Sequence, residues 1–366
     1  MPPQAGPDGD DHKELRLSLH KEIYEQTAVL GQSLALNRER VAEIAAALPL
    51  AGLSHAFVAA RGTSDNVARY ASYVWGAFNR LPVTLATPSL FSLYQKPPRL
   101  RDALVIGISQ SGQSPDIVAV LAEGRRQGQP TLAITNAPDS PLAQAADYVL
   151  PIEAGRETAV AATKTYTAQL LAVAMLSAAW AEDEARMAQL ARLPGWVAQT
   201  LTLDEPIATL AARYRYMQQC VVLGRGFNYA TAFEWSLKVK ELAYVVAEPY
   251  SSADFRHGPI AVVSAAAAGQ GFPVLAVAPE GVVADDMGAL LRRLLEEHRA
   301  DLVVISNRPD LLALAVSPIP IPTDVPEWLT PLVCIVPAQL FCYHLTRLKG
   351  YDTELPRGLQ KVTKTQ

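Results

Sequence analysis

The chain has 366 residues, 50% of them hydrophobic and 19% charged, with a net charge of −4. That is enough for two ordinary domains with substantial cores, and the negative balance excludes a broadly basic nucleic-acid surface. An anionic ligand therefore needs local help from hydroxyls, N–H groups and a few cations.

The opening stretch, Met1 to Asp11, is polar and acidic, unlike a signal peptide, and reads as disordered. From His12 to Leu48 the pattern is helical, with Leu19, Ile23, Leu30, Leu34, Val41 and Ile44 on apolar faces. Glu22, Glu25 and Glu43 keep this segment from being basic. It is expected to supply packing helices, for the fold itself or against a second subunit.

A strand at Ala56–Ala60 then leads through Arg61-Gly62-Thr63-Ser64 into a helix from Asp65 to Phe78. Pro82–Ala86 reads as a second strand, and Leu104–Ile108 as a third. This one ends at Ser109-Gln110-Ser111-Gly112-Gln113-Ser114, with Pro115-Asp116 opening an amphipathic helix. Ser114 suits an N-cap and Pro115 the first helical position. Such a junction offers an anion hydroxyls, unpaired N–H groups and the positive end of a helix dipole. Turns also favour these residue types, and that plainer reading is equally compatible with the loop. Strands at Pro130–Asn136 and Tyr148–Ile152 follow, then a long helix from Ala161 to Ala181. Alternating strands and helices imply a doubly wound parallel sheet, with ligands outside the carboxyl ends of its strands.

Arg186 to Arg213 reads as a helical connection, after which the pattern restarts. Val221–Leu223 runs into Gly224-Arg225-Gly226, a helix spans Ala230 to Val246, and Pro273–Ala278 and Leu302–Ile305 are strands. The second half thus reads as a diverged repeat of the first. The expected divisions are 1–48 (disordered start and N-terminal helices), 49–190, 191–345 and a C-terminal tail, 346–366.

The helix of the second half carries Glu234, Lys238 and Glu241 on one face. Two carboxylates around an ammonium can relay protons where burial drives their pKa values apart; on an exposed face they are ordinary ion pairs. Lys240 points elsewhere and fits the exposed reading. His257, in Phe255-Arg256-His257-Gly258-Pro259, is a candidate acid or base or a merely exposed histidine. The other five histidines, His12, His20, His55, His298 and His344, show no metal-ligand spacing, and neither metal nor cofactor is expected. The tail offers Lys361 and Lys364, compatible with a frayed basic end or with a lysine that forms a Schiff base. Cys220, Cys334 and Cys342 form neither a disulfide framework nor a metal motif, and are expected to be buried thiols of a cytoplasmic protein. Apolar runs such as Leu170–Ala181 are too short to span a bilayer, so no membrane or nucleic-acid partner is expected.

Six stretches, in order, carry a resemblance: ARGTSDN, SQSGQSPD, ETAVAATKTYTAQ, LGRGFNYATAFEWSLKVKEL, EPYSSADFRHGPIA and PRGLQKVT. From about Val58 to the C-terminus the chain resembles the sugar isomerase (SIS) domain family in tandem. It is similar to the isomerase half of glucosamine-6-phosphate synthase and to stand-alone glucosamine-6-phosphate deaminases. The resemblance implies two flavodoxin-like α/β domains. It implies that Thr63, Ser64, Ser109, Gln110, Ser111 and Ser114 hold a sugar phosphate and its hydroxyls, with the backbone at Val160 and Ala161 lining the sugar site. Glu241 matches the base that moves a proton between C1 and C2, and Glu234 and Lys238 match its supporting residues. His257 matches a ring-opening histidine contributed across a homodimer, and Lys361 matches a Schiff-base lysine. Two departures, Gln113-Ser114-Pro115-Asp116 in the loop and Ala162 in place of a serine, look more like the deaminases, and no glutaminase region precedes the helices. Deamination of glucosamine 6-phosphate is therefore the expected reaction. Ammonia- or glutamine-dependent synthesis, another phosphosugar deaminase or deglycase, and a non-catalytic sugar-phosphate sensor are the alternatives.

Overall fold

In the computed structural model, residues 18–264 and 271–361 are described. The expectations for Met1–Asp11 and for Lys364 lie outside these residues.

Two five-stranded sheets organise the chain, and every pairing in them is parallel. The first contains β1 (His55–Ala59), β2 (Val83–Leu85), β3 (Ala103–Ser109), β4 (Thr131–Thr135) and β5 (Tyr148–Pro151), ordered β2-β1-β3-β4-β5. The second contains β6 (Gln219–Gly224), β7 (Val246–Ser251), β8 (Pro273–Val277), β9 (Asp301–Ser306) and β10 (Ser317–Pro320), ordered β7-β6-β8-β9-β10. The two connectivities are identical, which bears out the repeat. Every residue of β3 and of β9 is buried, as expected of parallel strands covered by helices on both faces.

The sequence pattern misses β7 and β10. Each contains proline, Pro249 in one and Pro318 and Pro320 in the other, and each lies at a sheet edge. Proline removes a ladder donor, so it obscures a strand while being tolerated at an edge. The helix expected to reach Val246 ends at Ala243, because Tyr244 turns into the left-handed region (φ 52°) and directs the chain into β7.

Six helices frame the site: α1 (Ser18–Ala47), α2 (Thr63–Asn79), α3 (Pro115–Arg126), α4 (Lys164–Trp180), α5 (Tyr229–Ala243) and α6 (Thr330–Leu348). In α4 every residue from Lys164 to Ala178 is buried, and α6 is buried nearly throughout. Helices apolar on all sides belong inside a core. One apolar cluster accordingly joins Val58 and Ile106 of the first sheet, through Trp75, Leu170 and Leu332, to Trp235 and Leu275 of the second half. Glu327–Leu348 is long and apolar enough to cross a membrane, but 94% of its apolar window is buried inside the protein.

Of the expected N-terminal helices, the described part, Ser18–Ala47, is one continuous helix packed into its own chain, with Ile23, Leu30 and Val41 in the shared core. Glu354 of the tail accepts bonds from the Ser18 hydroxyl and the Leu19 N–H, tying the tail to the start of α1. The connection expected over Arg186–Arg213 is three short helices, Glu184–Leu190, Leu193–Leu201 and Asp204–Ala212.

Candidate active site

A cleft of about 340 Å³ opens at the carboxyl ends of β1 and β3, the switch point of the first sheet. The first turn of α2 supplies Thr63 and Ser64, and the end of β3 with the loop after it supplies Ser109, Gln110, Ser111 and Ser114. Ser114 stands at the N-cap of α3 with Pro115 after it, yet its hydroxyl makes no capping bond and lines the cleft instead. Ser109 Oγ accepts from Gly112 N at 3.1 Å, which folds the loop back on itself. Gly112 has φ 61°, and a Cβ there would lie 2.0 Å from Ser140 Oγ, so only glycine fits.

Opposite this loop, α5 presents Lys238 and Glu241. Lys238 Nζ lies 2.7 Å from Glu241 Oε2, 3.3 Å from Glu234 Oε1 and 3.1 Å from Thr63 Oγ1. Glu234 also accepts from Asn66 Nδ2 at 2.8 Å and from Thr63 Oγ1 at 3.1 Å. Glu234 is 0% and Lys238 2% exposed, against 24% for Glu241. This is a buried ion-paired cluster with one accessible carboxylate, rather than a solvated ion-pair face. Burial opposes the charge on Lys238, but Glu234 and Glu241 outweigh it and hold the ammonium above its usual range. Burial likewise pushes the Glu234 carboxyl up, against the pull of Lys238 and the bonds from Asn66 and Thr63. Lys240 is exposed, as expected.

The third wall is the segment before α4. Val160 and Ala162 line the cleft, and Ala161 between them is buried. Glu22 of α1 holds this segment by accepting from Thr158 N, Thr158 Oγ1 and Ala159 N, and Lys164 Nζ reaches Glu25 at 2.6 Å. The tail closes over the top. Lys361 lines the cleft with its Nζ 2.6 Å from Glu157 Oε2.

His257 is exposed on the loop after Ser252–Arg256 and is not among the cleft's lining residues. Arg256 beside it bonds Asp286, which also holds Arg225 and Ser252.

Sequence reasoning passed over three participants. Arg61 lines the cleft and pairs at 2.8 Å with Asp116, a fully buried carboxylate. Glu157 anchors Lys361, and Asn66 braces Glu234. All three residues stand inside the quoted motifs, but their partners are 55, 204 and 168 positions away and local spacing does not reveal them. Spacing also fails for His20 and His344, which the fold brings together at Asp204. The three cysteines are buried, and burial pushes each thiol up, Cys220 to about 12.

Residues 50–179 match the SIS domain family. A solved structure from Silicibacter pomeroyi DSS-3, provisionally named a phosphosugar isomerase, is 32% identical, with a TM-score of 0.82 over 92% of this chain and 99% of that one. The chain belongs to the SIS domain family. The C-terminal domain of glucosamine-fructose-6-phosphate aminotransferase from Francisella tularensis superposes on this SIS protein with a TM-score of 0.82 at 26% identity, covering 96% of the chain and 100% of that domain. The isomerizing glutamine–fructose-6-phosphate aminotransferase of Brucella abortus is 30% identical over 94% of this chain. The SIS protein spans 58% of the length of that curated relative.

Proposed function

We propose that this SIS protein interconverts an amino-sugar phosphate and a ketose phosphate, and that its reaction is glucosamine 6-phosphate plus water to fructose 6-phosphate plus ammonia. The observation that carries this reading is one accessible carboxylate, Glu241, held by a buried ammonium across a cleft from a serine-lined helix N-terminus. The hydroxyls of Ser109, Ser111, Ser114, Thr63 and Ser64 and the Gln110 amide anchor the phosphate and sugar, with Arg61 supplying the nearby cation. Anchoring the phosphate at one end sets the C1–C2 bond over Glu241.

After ring opening, Glu241 takes the proton from C2, leaving an enolamine, and returns it to C1. The product is a ketimine at C2, and water adds to release ammonia and the ketone. Lys238 stabilises Glu241 in its charged form, and Glu234 holds the buried ammonium in place from the other side. Lys361, once released from Glu157, is placed to form a Schiff base with the ketose. His257 assists ring opening from a second copy of the chain, making a homodimer the catalytic unit. Ala162 presents a methyl where a serine is expected in the synthases, which favours deamination over synthesis.

The experiment is ammonia release from glucosamine 6-phosphate by the purified chain, with Glu241→Gln as the inactive control. No release from intact protein, alongside tight sugar-phosphate binding, would leave a sensor. The curated aminotransferase relatives favour a second reading, the reverse amination of fructose 6-phosphate, and the same assay run with ammonia measures it.

A further inference from the structure

We infer that His20, Asp204 and His344 form a binding site for one divalent transition-metal ion, distinct from the sugar cleft. The three residues come from separate elements: His20 from α1, Asp204 from the first turn of Asp204–Ala212, and His344 from α6. His20 Nε2 lies 2.9 Å from Asp204 Oδ2, and His344 Nε2 lies 2.6 Å from Asp204 Oδ1. All three donor atoms fall within 4.8 Å of one another. Zinc bonds of 2.0–2.1 Å set tetrahedral donors about 3.3 Å apart, so shifts on the order of 1 Å close these atoms around an ion. Two imidazoles with one carboxylate suit zinc, cobalt and nickel, and leave one position for water.

The surroundings support ligation. The side chains are 15–29% exposed, so an ion reaches them without unfolding. Tyr24 Oη donates to Asp204 Oδ2 at 2.8 Å, and the His20 ring stacks on Tyr343 with centroids 4.6 Å apart. Partners of this kind fix ligand orientation. An ionised carboxylate only accepts hydrogen bonds, so each Nε2 facing it carries a proton in the free chain. Ion binding moves each proton to Nδ1 and puts one divalent charge where two hydrogen bonds stood. The ion would join α1 to α6 and to the helix between the halves. Because α1 also carries Glu22 and Glu25, such a joint steadies the wall of the sugar cleft.

The test is a titration of the chelator-stripped full chain with zinc against a competing chromogenic chelator, repeated with cobalt(II). One zinc per chain is expected, with a melting temperature that rises with zinc concentration. Affinity should drop more than about 100-fold in Asp204→Asn and His344→Gln, and about 10-fold in Tyr24→Phe, whereas His55→Gln should leave it unchanged. In cobalt-loaded wild-type protein the visible bands should lack a thiolate charge-transfer component, a readout that does not depend on any variant folding. The absence of a saturable ion, unchanged affinity in the two ligand variants, or a thiolate band would each overturn the assignment.

Discussion

Lys361 Nζ rests 2.6 Å from the carboxylate of Glu157, a side chain with no exposed surface. Glu157 is itself fixed by Thr163 N, Thr165 N and Thr165 Oγ1, so the tail lysine is held over the cleft by a rigid acceptor. A frayed basic end would show no such partner. Glu157→Gln removes the charge while keeping most of the shape, and should lower turnover by about 10–100-fold through misplacement of the lysine. Borohydride reduction in the presence of fructose 6-phosphate should trap one ketose per wild-type chain, less in Glu157→Gln and none in Lys361→Met. Equal trapping in Lys361→Met would remove the lysine from the mechanism.

The charged cluster on α5 separates stability from activity. Lys238→Met leaves Glu234 buried beside Glu241 with no counter-charge, and should cost about 3–5 kcal/mol by denaturant unfolding. Glu241 is accessible, so Glu241→Gln should change stability by under about 1 kcal/mol yet reduce turnover by about 100–10,000-fold. Unfolding of Lys238→Met at the wild-type midpoint would contradict the burial of this ion-paired cluster.

What the sequence reveals follows from which interactions are local. The serine loop, its proline at the first helical position and the Glu234-Lys238-Glu241 spacing are contained within one turn or one helix face, so each is readable from neighbours alone. The six ordered motifs add the family, and with it the tandem fold. Burial is different: the same i, i+4, i+7 triplet reads as solvated or sequestered until α2 and α6 are seen to pack on its helix. Pairings such as Arg61–Asp116 and Glu157–Lys361 depend on chain closure over long separations, and no local pattern encodes them. Edge strands carrying prolines, β7 and β10, lose the very propensity by which strands are found.

Gly112 makes the shape of the serine-rich loop testable. Its φ of 61° and the 2.0 Å separation that any Cβ would have from Ser140 Oγ act together against a side chain. Gly112→Ala should cost about 1–3 kcal/mol from overpacking and about 1–2 kcal/mol from the left-handed backbone. KM for the sugar phosphate should rise more than kcat falls, because the role proposed for the loop is to anchor the substrate. Ser140→Gly removes the blocking atoms, so the double variant should regain the overpacking part and keep the backbone cost plus a few tenths of a kcal/mol for the lost cap on Ala143 N. A double variant no better than Gly112→Ala would show that Ser140 is not the obstacle.

Asp286 joins the β6 turn to the His257 loop by bonding Arg225, Ser252 and Arg256. Burial opposes its charge, but the bonds from Ser252, Arg256 and Arg225 outweigh it and hold the carboxyl below its ordinary value of 3.8. A carboxyl lowered in the folded state contributes stability that is fully present above its unfolded value and is lost as pH falls through the folded one. Asp286→Asn should therefore lower the melting temperature by about 1–3 °C at neutral pH, and the gap should close as pH drops below about 4. Melting curves of both proteins across that range measure it, and a gap that persists unchanged to pH 3 would contradict the pairing. Since Arg256 directly precedes His257, the same substitution should also lower turnover at neutral pH, where the loop loses its anchor but the fold remains.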